Sequence, residues 1–375
     1  MTTKADYKLL REYIRLVDVR NRDLSISNLR GVSIGKKFIS SIANIVGTDL
    51  SSYKIVRMGQ FAYGPVTSRN GEKISIAYLD SEDCIISSSY TVFEVVKKEE
   101  LNSEYLMLWF CRPEFDRYAR YRSHGSVREI FDWNELCMLE IPVPPIAIQK
   151  KLVKAYKTIA DRIAIKQKIN DNLEASTQAH FDSLFFPAAE PDCTLADIAE
   201  VNPVRQLKKG VGARCFDMST LPTKGCIPTG DEIKPYNGGV RFINGDTLIA
   251  RITPCLENGK AAYINVLADD EVAFGSTECI VFAAKDEMPS SFYYFLIRNN
   301  QFVAFALQFM NGSSGRQRVS GEELASFPLS RPSSEDLKAF DKIGSMALKQ
   351  MKEIASEIQL LKQLQEIIKA TLSSR

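Results

Sequence analysis

Histidine is almost missing: the 375 residues contain two, His124 and His180. Imidazole-based triad or general-base chemistry therefore has few groups to work with. Eight cysteines stand apart as Cys84, Cys111, Cys137, Cys193, Cys215, Cys226, Cys255 and Cys279, with no CxxC pair among them. That scatter speaks against a structural zinc site and for free thiols in a reducing cytoplasm. No run of 18 or more apolar residues is present, so no membrane span is expected. Met1 to Arg22 is charged and has no continuous apolar segment, so no signal peptide is expected either. An excess of one charge sign is absent too: 48 Lys and Arg face 46 Asp and Glu, a net charge of +2. Bulk charge thus neither supports nor excludes a nucleic-acid partner, and local placement has to decide.

Familiar catalytic motifs are also lacking. There is no GxxxxGK[ST] phosphate loop, no GxSxG elbow and no HExxH pair. No Gly-rich loop after a strand suggests a nucleotide or S-adenosylmethionine pocket. Asn202-Pro203-Val204 has the start of the Asn-Pro-Pro-aromatic motif of adenine methyltransferases. It lacks the second proline and the aromatic that would stack a flipped base, so it reads as a turn.

What is present is a soluble composition, 45% hydrophobic and 25% charged, over a length that suits two domains. The second half echoes the first. Ile55 to Gln60 aligns with Phe242 to Thr247 around Gly59 and Gly245. A proline follows in each (Pro65, Pro254), then Asn70-Gly71 or Asn258-Gly259, then Lys73 or Lys260. Strand-like runs come next, Cys84 to Val96 and Glu278 to Ala284, and then aromatic helices, Glu104 to Phe110 and Ser291 to Leu296. Each half continues with a small-residue turn bearing arginine, Gly125-Ser126-Val127-Arg128 or Ser313-Ser314-Gly315-Arg316. Leu136 with Ile141-Pro142 then matches Leu324 with Phe327-Pro328, and Pro145 or Pro332 precedes a long helix.

Those helices are the clearest elements. Ile343, Ala347, Met351, Ile354, Ile358, Leu361, Ile368 and Leu372 recur at helical steps, interrupted only by Gln365. The central helix, from about Ile148 to Phe185, carries Leu152, Tyr156, Ile159 and Ile163 on one stripe and stops before Pro187. Its middle is polar at Lys166, Lys168 and Asn170, and polar seam positions tend to fix register. Paired antiparallel, two such helices make a rod about 55 Å long. The expected fold is mixed α/β (α+β): two pseudo-repeated globular domains separated by two long helices that form an antiparallel coiled coil. The boundaries fall at 1–145, 146–187, 188–331 and 332–375. Between Arg112 and Arg128, five arginines interleave with Phe115, Tyr118 and Tyr121, read as a solvated helix whose aromatics face a core.

This order of phrases resembles the specificity subunit of type I restriction-modification systems over essentially the whole chain. The resemblance rests on Arg251-Ile252-Thr253-Pro254 with Glu257-Asn258-Gly259-Lys260, on Gly275-Ser276-Thr277-Glu278 and on Gly312-Ser313-Ser314-Gly315-Arg316. In the first half it rests on Ser87 to Phe93 and Ile141-Pro142-Val143-Pro144-Pro145. The first half departs where it has Ala62-Tyr63-Gly64-Pro65 in place of Arg-Ile-Thr-Pro. The resemblance implies two target-recognition domains, each reading half of an asymmetric bipartite target in double-stranded DNA. It implies two modification (adenine methyltransferase) subunits docked on the helices, with restriction (motor endonuclease) subunits as further partners. No cofactor is expected on this chain, S-adenosylmethionine belonging to the modification subunit. A non-catalytic, cytoplasmic DNA-binding protein is thus the leading reading. A methyltransferase or nuclease acting alone, and a coiled-coil scaffold with protein-binding ends, are the alternatives.

The expected DNA-binding residues of the first half are Thr67, Ser68, Arg69, Asn70 and Lys73, with Ser126 and Arg128. In the second half they are Arg251, Thr253, Asn258 and Lys260, with Ser314, Arg316 and Arg318. Glycine lets the backbone approach a groove while Asn, Thr and Arg present donors and acceptors to bases and phosphates. Arg20, Asn21, Arg22 and Lys36 are weaker candidates, and spacer positions such as Thr158 and Ile159 suit protein contacts. No catalytic or metal-ligating residue is expected.

Overall fold

The computed structural model describes residues 7–41, 47–68, 70–125, 128–186, 190–313 and 315–372. The chain divides into two compact units, Met1–Arg162 with Leu361–Arg375, and Ile163–Leu360. Each unit therefore combines one sheet-rich half with a stretch of both long helices. No helix among the described residues is long and apolar enough to cross a membrane.

In the first unit a four-stranded antiparallel sheet runs Ile14–Val17, Thr91–Val95, Gln60–Tyr63, Ile76–Tyr78 in spatial order. In the second the order is Ala199–Val201, Cys279–Ala284, Thr247–Ala250, Ala261–Tyr263, again all antiparallel. Taken along the chain, both sheets have the topology 1-4-2-3. Each half is closed by a two-stranded ribbon that joins its beginning to its end. Tyr7–Leu9 pairs with Glu140–Pro142, and Cys193–Thr194 pairs with Pro328–Leu329. The duplication is thus a property of the fold. The halves differ beside the main sheet. The second has another four-stranded sheet, containing a parallel pair, where the first has the ribbons Arg30–Val32 with Phe38–Ser40 and Lys54–Val56 with Cys84–Ile86.

Alternation along the strands explains why these sheets are buried on both faces. Phe61, Tyr63, Phe93 and Val95 point into an aromatic core with Phe110, Phe115 and Phe131. Ala62, Ala77 and Val92 point the other way, into a smaller cluster with Val56 and Ile86. In the second half Ile249, Ile280 and Phe282 face the helices, while Leu248, Val281 and Cys279 face Phe216 and Phe242. Asn102 caps helix Ser103–Phe110 by accepting the Tyr105 N–H, and Asn299 caps Asn300–Gln308 by accepting those of Gln301 and Phe302.

The long helices span Ile146–Phe185 and Ser334–Thr371, 40 and 38 residues. The apolar seam of the second is buried at Ala347, Met351, Leu361 and Leu372 and half-buried at Ile354, Ile358 and Ile368. Ile343 departs from the expected stripe and is 46% exposed, its place at the start of the seam taken by Phe340 and Gly344. Within the second unit the helices pair antiparallel: Phe340 meets Phe181 and Phe185, and Lys166 Nζ lies 2.7 Å from Glu357. Within the first, Val153 from the central helix and Leu372, just past the end of the terminal one, enter the same core. Lys166 and Asn170, the polar positions of the central stripe, are half-buried, whereas Lys168 faces solvent.

All eight cysteines are free. Burial pushes the Cys84 thiol up to about 11 and the Cys279 thiol up to about 12, so both are unreactive packing groups.

Candidate nucleic-acid interface

At the end of the second strand of each main sheet, the chain runs alongside a short hairpin contributed from much later in the sequence. In the first half Val66 and His124 both bridge Ile130. In the second Ile252 and Asn311 both bridge Arg318. The backbone bonds correspond one for one. Thr67 N donates to Glu129 O at 2.9 Å, as Thr253 N does to Gln317 O at 3.0 Å. Phe131 N donates to Pro65 O at 2.8 Å, as Val319 N does to Arg251 O at 3.0 Å.

These bonds correct the sequence alignment. The counterpart of Arg251-Ile252-Thr253 is Pro65-Val66-Thr67, not Ala62-Tyr63-Gly64 with the prolines matched. Both hairpins open on a glycine that no other residue replaces cheaply. Gly125 has φ +134° and Gly312 has φ +129°; a Cβ on them would come within 2.2 Å of Arg128 O and 3.1 Å of Arg316 O. The first hairpin bridges 124 to 130 and the second 311 to 318, one residue longer.

The conserved architecture displays different side chains. Arg128 and Arg316 are exposed at the hairpin tips, and among the described residues neither enters an ion pair. Ser68, Lys73 and Asn258 are exposed nearby, and Asn70 is half-buried with its amide donating to Val66 O at 3.3 Å. Arg251 is half-buried beside the second hairpin, its Nε without a hydrogen-bond partner among the described residues. Arg69, Ser126 and Ser314 lie outside the described residues.

Other expected contacts are corrected. Thr67 is 2% exposed and Thr253 9%, and both hydroxyls are spent on the hairpins. Thr67 Oγ1 donates to Ser123 Oγ at 2.9 Å, and Thr253 Oγ1 accepts the Gln317 N–H at 3.1 Å. They are joints, not presented groups. The Lys260 amine is tied down, donating to Met218 O at 2.7 Å. Arg318 is held bidentately by Glu278, at 2.8 Å and 2.7 Å. That hydrogen bonding, aided by charge, holds the Glu278 carboxyl below its ordinary range. Among the weaker candidates, Asn21 is fully buried and braces Ile26 through its amide, and Arg20 bonds Ser52 O and Asp18. Lys36 sits inside the fold, its amine 2.7 Å from Asp116 and 2.6 Å from Phe110 O. Arg22 remains exposed.

Sequence reasoning missed the carboxylates that shape this surface. Glu278 fixes Arg318, and Glu129 and Glu135 pair with Arg120 and Arg122 beside the first hairpin. It also placed Tyr121 in a core, whereas the ring is 81% exposed at the end of helix Pro113–Tyr121. Phe115 on that helix is buried as expected. No group of three or more His, Cys, Asp or Glu suited to a metal ion occurs among the described residues.

Two topologically repeated halves, each carrying a hairpin-braced loop, together with two long antiparallel helices, define a tandem-domain protein built on an internal repeat. Residues 59–175 match the family model of the type I restriction modification DNA specificity domain. The chain is 25% identical over 190 residues to the type I restriction enzyme EcoEI specificity subunit of Escherichia coli, covering 48% of this chain and 32% of that one. It is 33% identical over 132 residues to the EcoAI specificity subunit of the same organism, covering 34% and 22%. It thus spans a third or less of the length of these curated relatives. The crystal structure of a type I restriction-modification system S subunit from M. genitalium shares the fold, with a TM-score of 0.61 at 13% identity over 100% of this chain and 97% of that one. Over the matched stretches the chain is similar to the type I DNA specificity domain and to specificity subunits of type I restriction-modification systems, as its sequence phrases suggested.

Proposed function

We propose that this chain is a non-catalytic, sequence-specific subunit that directs adenine methylation and restriction by partner subunits to an asymmetric, bipartite site in double-stranded DNA. The observation that carries the reading is the pair of equivalent loop-and-hairpin surfaces with unlike side chains. One offers Ser68, Lys73 and Arg128; the other offers Arg251, Asn258 and Arg316. Like architecture with unlike contacts suits two unlike half-sites. In this reading two modification subunits dock on the chain and bring S-adenosylmethionine, restriction subunits add to them, and the assembly works in the cytoplasm. This chain itself supplies positioning and sequence readout and holds no cofactor.

The test is single-molecule sequencing of adenine methylation in cells that express the chain with its cognate modification subunit, and in cells lacking the chain. A bipartite motif that vanishes without the chain is expected. Unchanged methylation, with the modification subunit active, sinks the proposal and favours a scaffold.

Arg316→Ala is expected to weaken DNA binding by the assembled complex by about 1–3 kcal/mol and to relax one position of the motif if the guanidinium reads a base. Uniform weakening, with the salt slope smaller by about one, would mark a phosphate contact instead. Unaltered affinity and slope would remove the hairpin from the interface.

A further inference from the structure

Arg298 lies between helices Ser290–Leu296 and Asn300–Gln308, its guanidinium 5.3 Å from the centre of the Tyr294 ring. The side chain is 15% exposed, and its donors point at two loops. Nη1 donates to Gly259 O at 2.5 Å and Thr223 O at 3.4 Å, and Nη2 donates to Gly225 O at 3.0 Å. Opposite stands Glu174 of the central helix, 3.6 Å from Arg298 Nε. Glu174 also accepts the Gly225 N–H at 3.0 Å and the Tyr294 hydroxyl. One turn earlier on the same helix, Asn170 packs on this loop, since a Cβ on Gly225 would come 3.4 Å from its Nδ2. One helix carboxylate and one arginine thereby grip both the 223–225 loop and the turn that carries Asn258.

The chemistry explains why arginine stands there. A planar fork reaches three carbonyls and a carboxylate at once, whereas the compact ammonium of lysine does not. Left without it, the part-buried carbonyls of Gly259 and Gly225 lose this partner. The turn is held tightly: Gly259 has φ +71°, and a Cβ there would come 3.1 Å from Arg298 Nη1. The first half is anchored differently at the matching helix junction. Arg112 lies 5.0 Å from the Trp109 ring and 3.4 Å from Glu114, a residue of its own helix.

We propose that Glu174 and Arg298 are positioning residues that lock the Asn258-Gly259 turn in register with the central helix, so that readout of one half-site depends on a clamp within the spacer. The inference rests on the DNA-recognition reading given above. It makes the polar middle of the central helix a specificity element for the second unit's half-site.

The test uses Glu174→Gln, which keeps the shape and removes the charge, and Arg298→Lys, each in the full chain assembled with its modification subunits. Hydrogen exchange in residues 222–226 and 254–260 is read beside genome-wide adenine methylation. Exchange at Gly225 and around Gly259 is expected to quicken on the order of tenfold. Methylation at sites mismatched in one half of the motif is expected to rise on the order of tenfold, with the other half as stringent as before. Unaltered exchange in both loops, or stringency lost equally in both halves, overturns the clamp. A wild-type chain that directs no motif overturns the DNA-recognition reading itself, and with it the role assigned to the clamp.

Discussion

Replacing Asp116 with alanine is expected to cost the first unit about 3–5 kcal/mol, measured as a shift of the denaturant midpoint at unchanged slope. Asp116 is 8% exposed and accepts two donors, the Lys36 amine at 2.7 Å and the Ile74 N–H at 3.1 Å. Lys36 reaches it from a hairpin tip, with its side chain 7% exposed and its amine 5.2 Å from the centre of the Phe115 ring. Burial pulls the lysine down from its ordinary value of 10.5, and the hydrogen bond and charge of Asp116 oppose that pull. Without the carboxylate, burial acts on the amine without that opposing charge, and the folded-state lysine is held further below its unfolded value. The variant's folded state then binds fewer protons than its unfolded state up to about 10.5, so its deficit should shrink as pH rises toward that value. Combining Lys36→Met with Asp116→Ala should recover about 1–3 kcal/mol relative to the sum of the single variants, because the isolated charge is gone. Strict additivity would mean that the pair is solvated and contributes little.

That pair also marks where the sequence stopped being readable. Lys36 and Asp116 are 80 residues apart, as Thr67 and Glu129 are 62 and Arg318 and Glu278 are 40. Nothing local to a lysine on a glycine-flanked tip says that it points inward, so it read as a free cation. The long helices were readable because their signal is periodic and repeated over ten turns. A single misplaced residue, Ile343, did not disturb the seam, and the ring of Phe340 took its place against the central helix. The repeat was readable through Gly59 and Gly245, whose φ values of +94° and +91° reflect a shared turn requirement. It failed locally at Pro65 and Pro254, where unequal loop lengths made a chance match outweigh the true one. Hairpin pairing fixes that register, and it is formed with residues more than 60 positions downstream.

Phe340→Ala should be as severe in the second unit, about 3–5 kcal/mol, while Phe340→Leu should cost less than about 1.5 kcal/mol. The ring is fully buried, with its centre 5.1 Å from Phe181, 5.6 Å from Phe185 and 5.5 Å from Phe295. It is also why a glycine is tolerated inside the terminal helix. A Cβ on Gly344 would approach the Phe340 ring to 2.8 Å and Ser291 Cβ to 3.3 Å, so Gly344 trades helix propensity for close packing. Alanine at 340 leaves a hole between the two long helices that neighbouring rings, already edge-to-face, cannot close without leaving their own contacts. The loss should be felt locally first. Hydrogen exchange should quicken around Phe181 and Phe295 while the first unit's aromatic core, built on Phe61, Phe93 and Phe110, keeps its protection. A loss below about 1 kcal/mol, or an equal loss of protection in both cores, would show that the helices are held together elsewhere along their length.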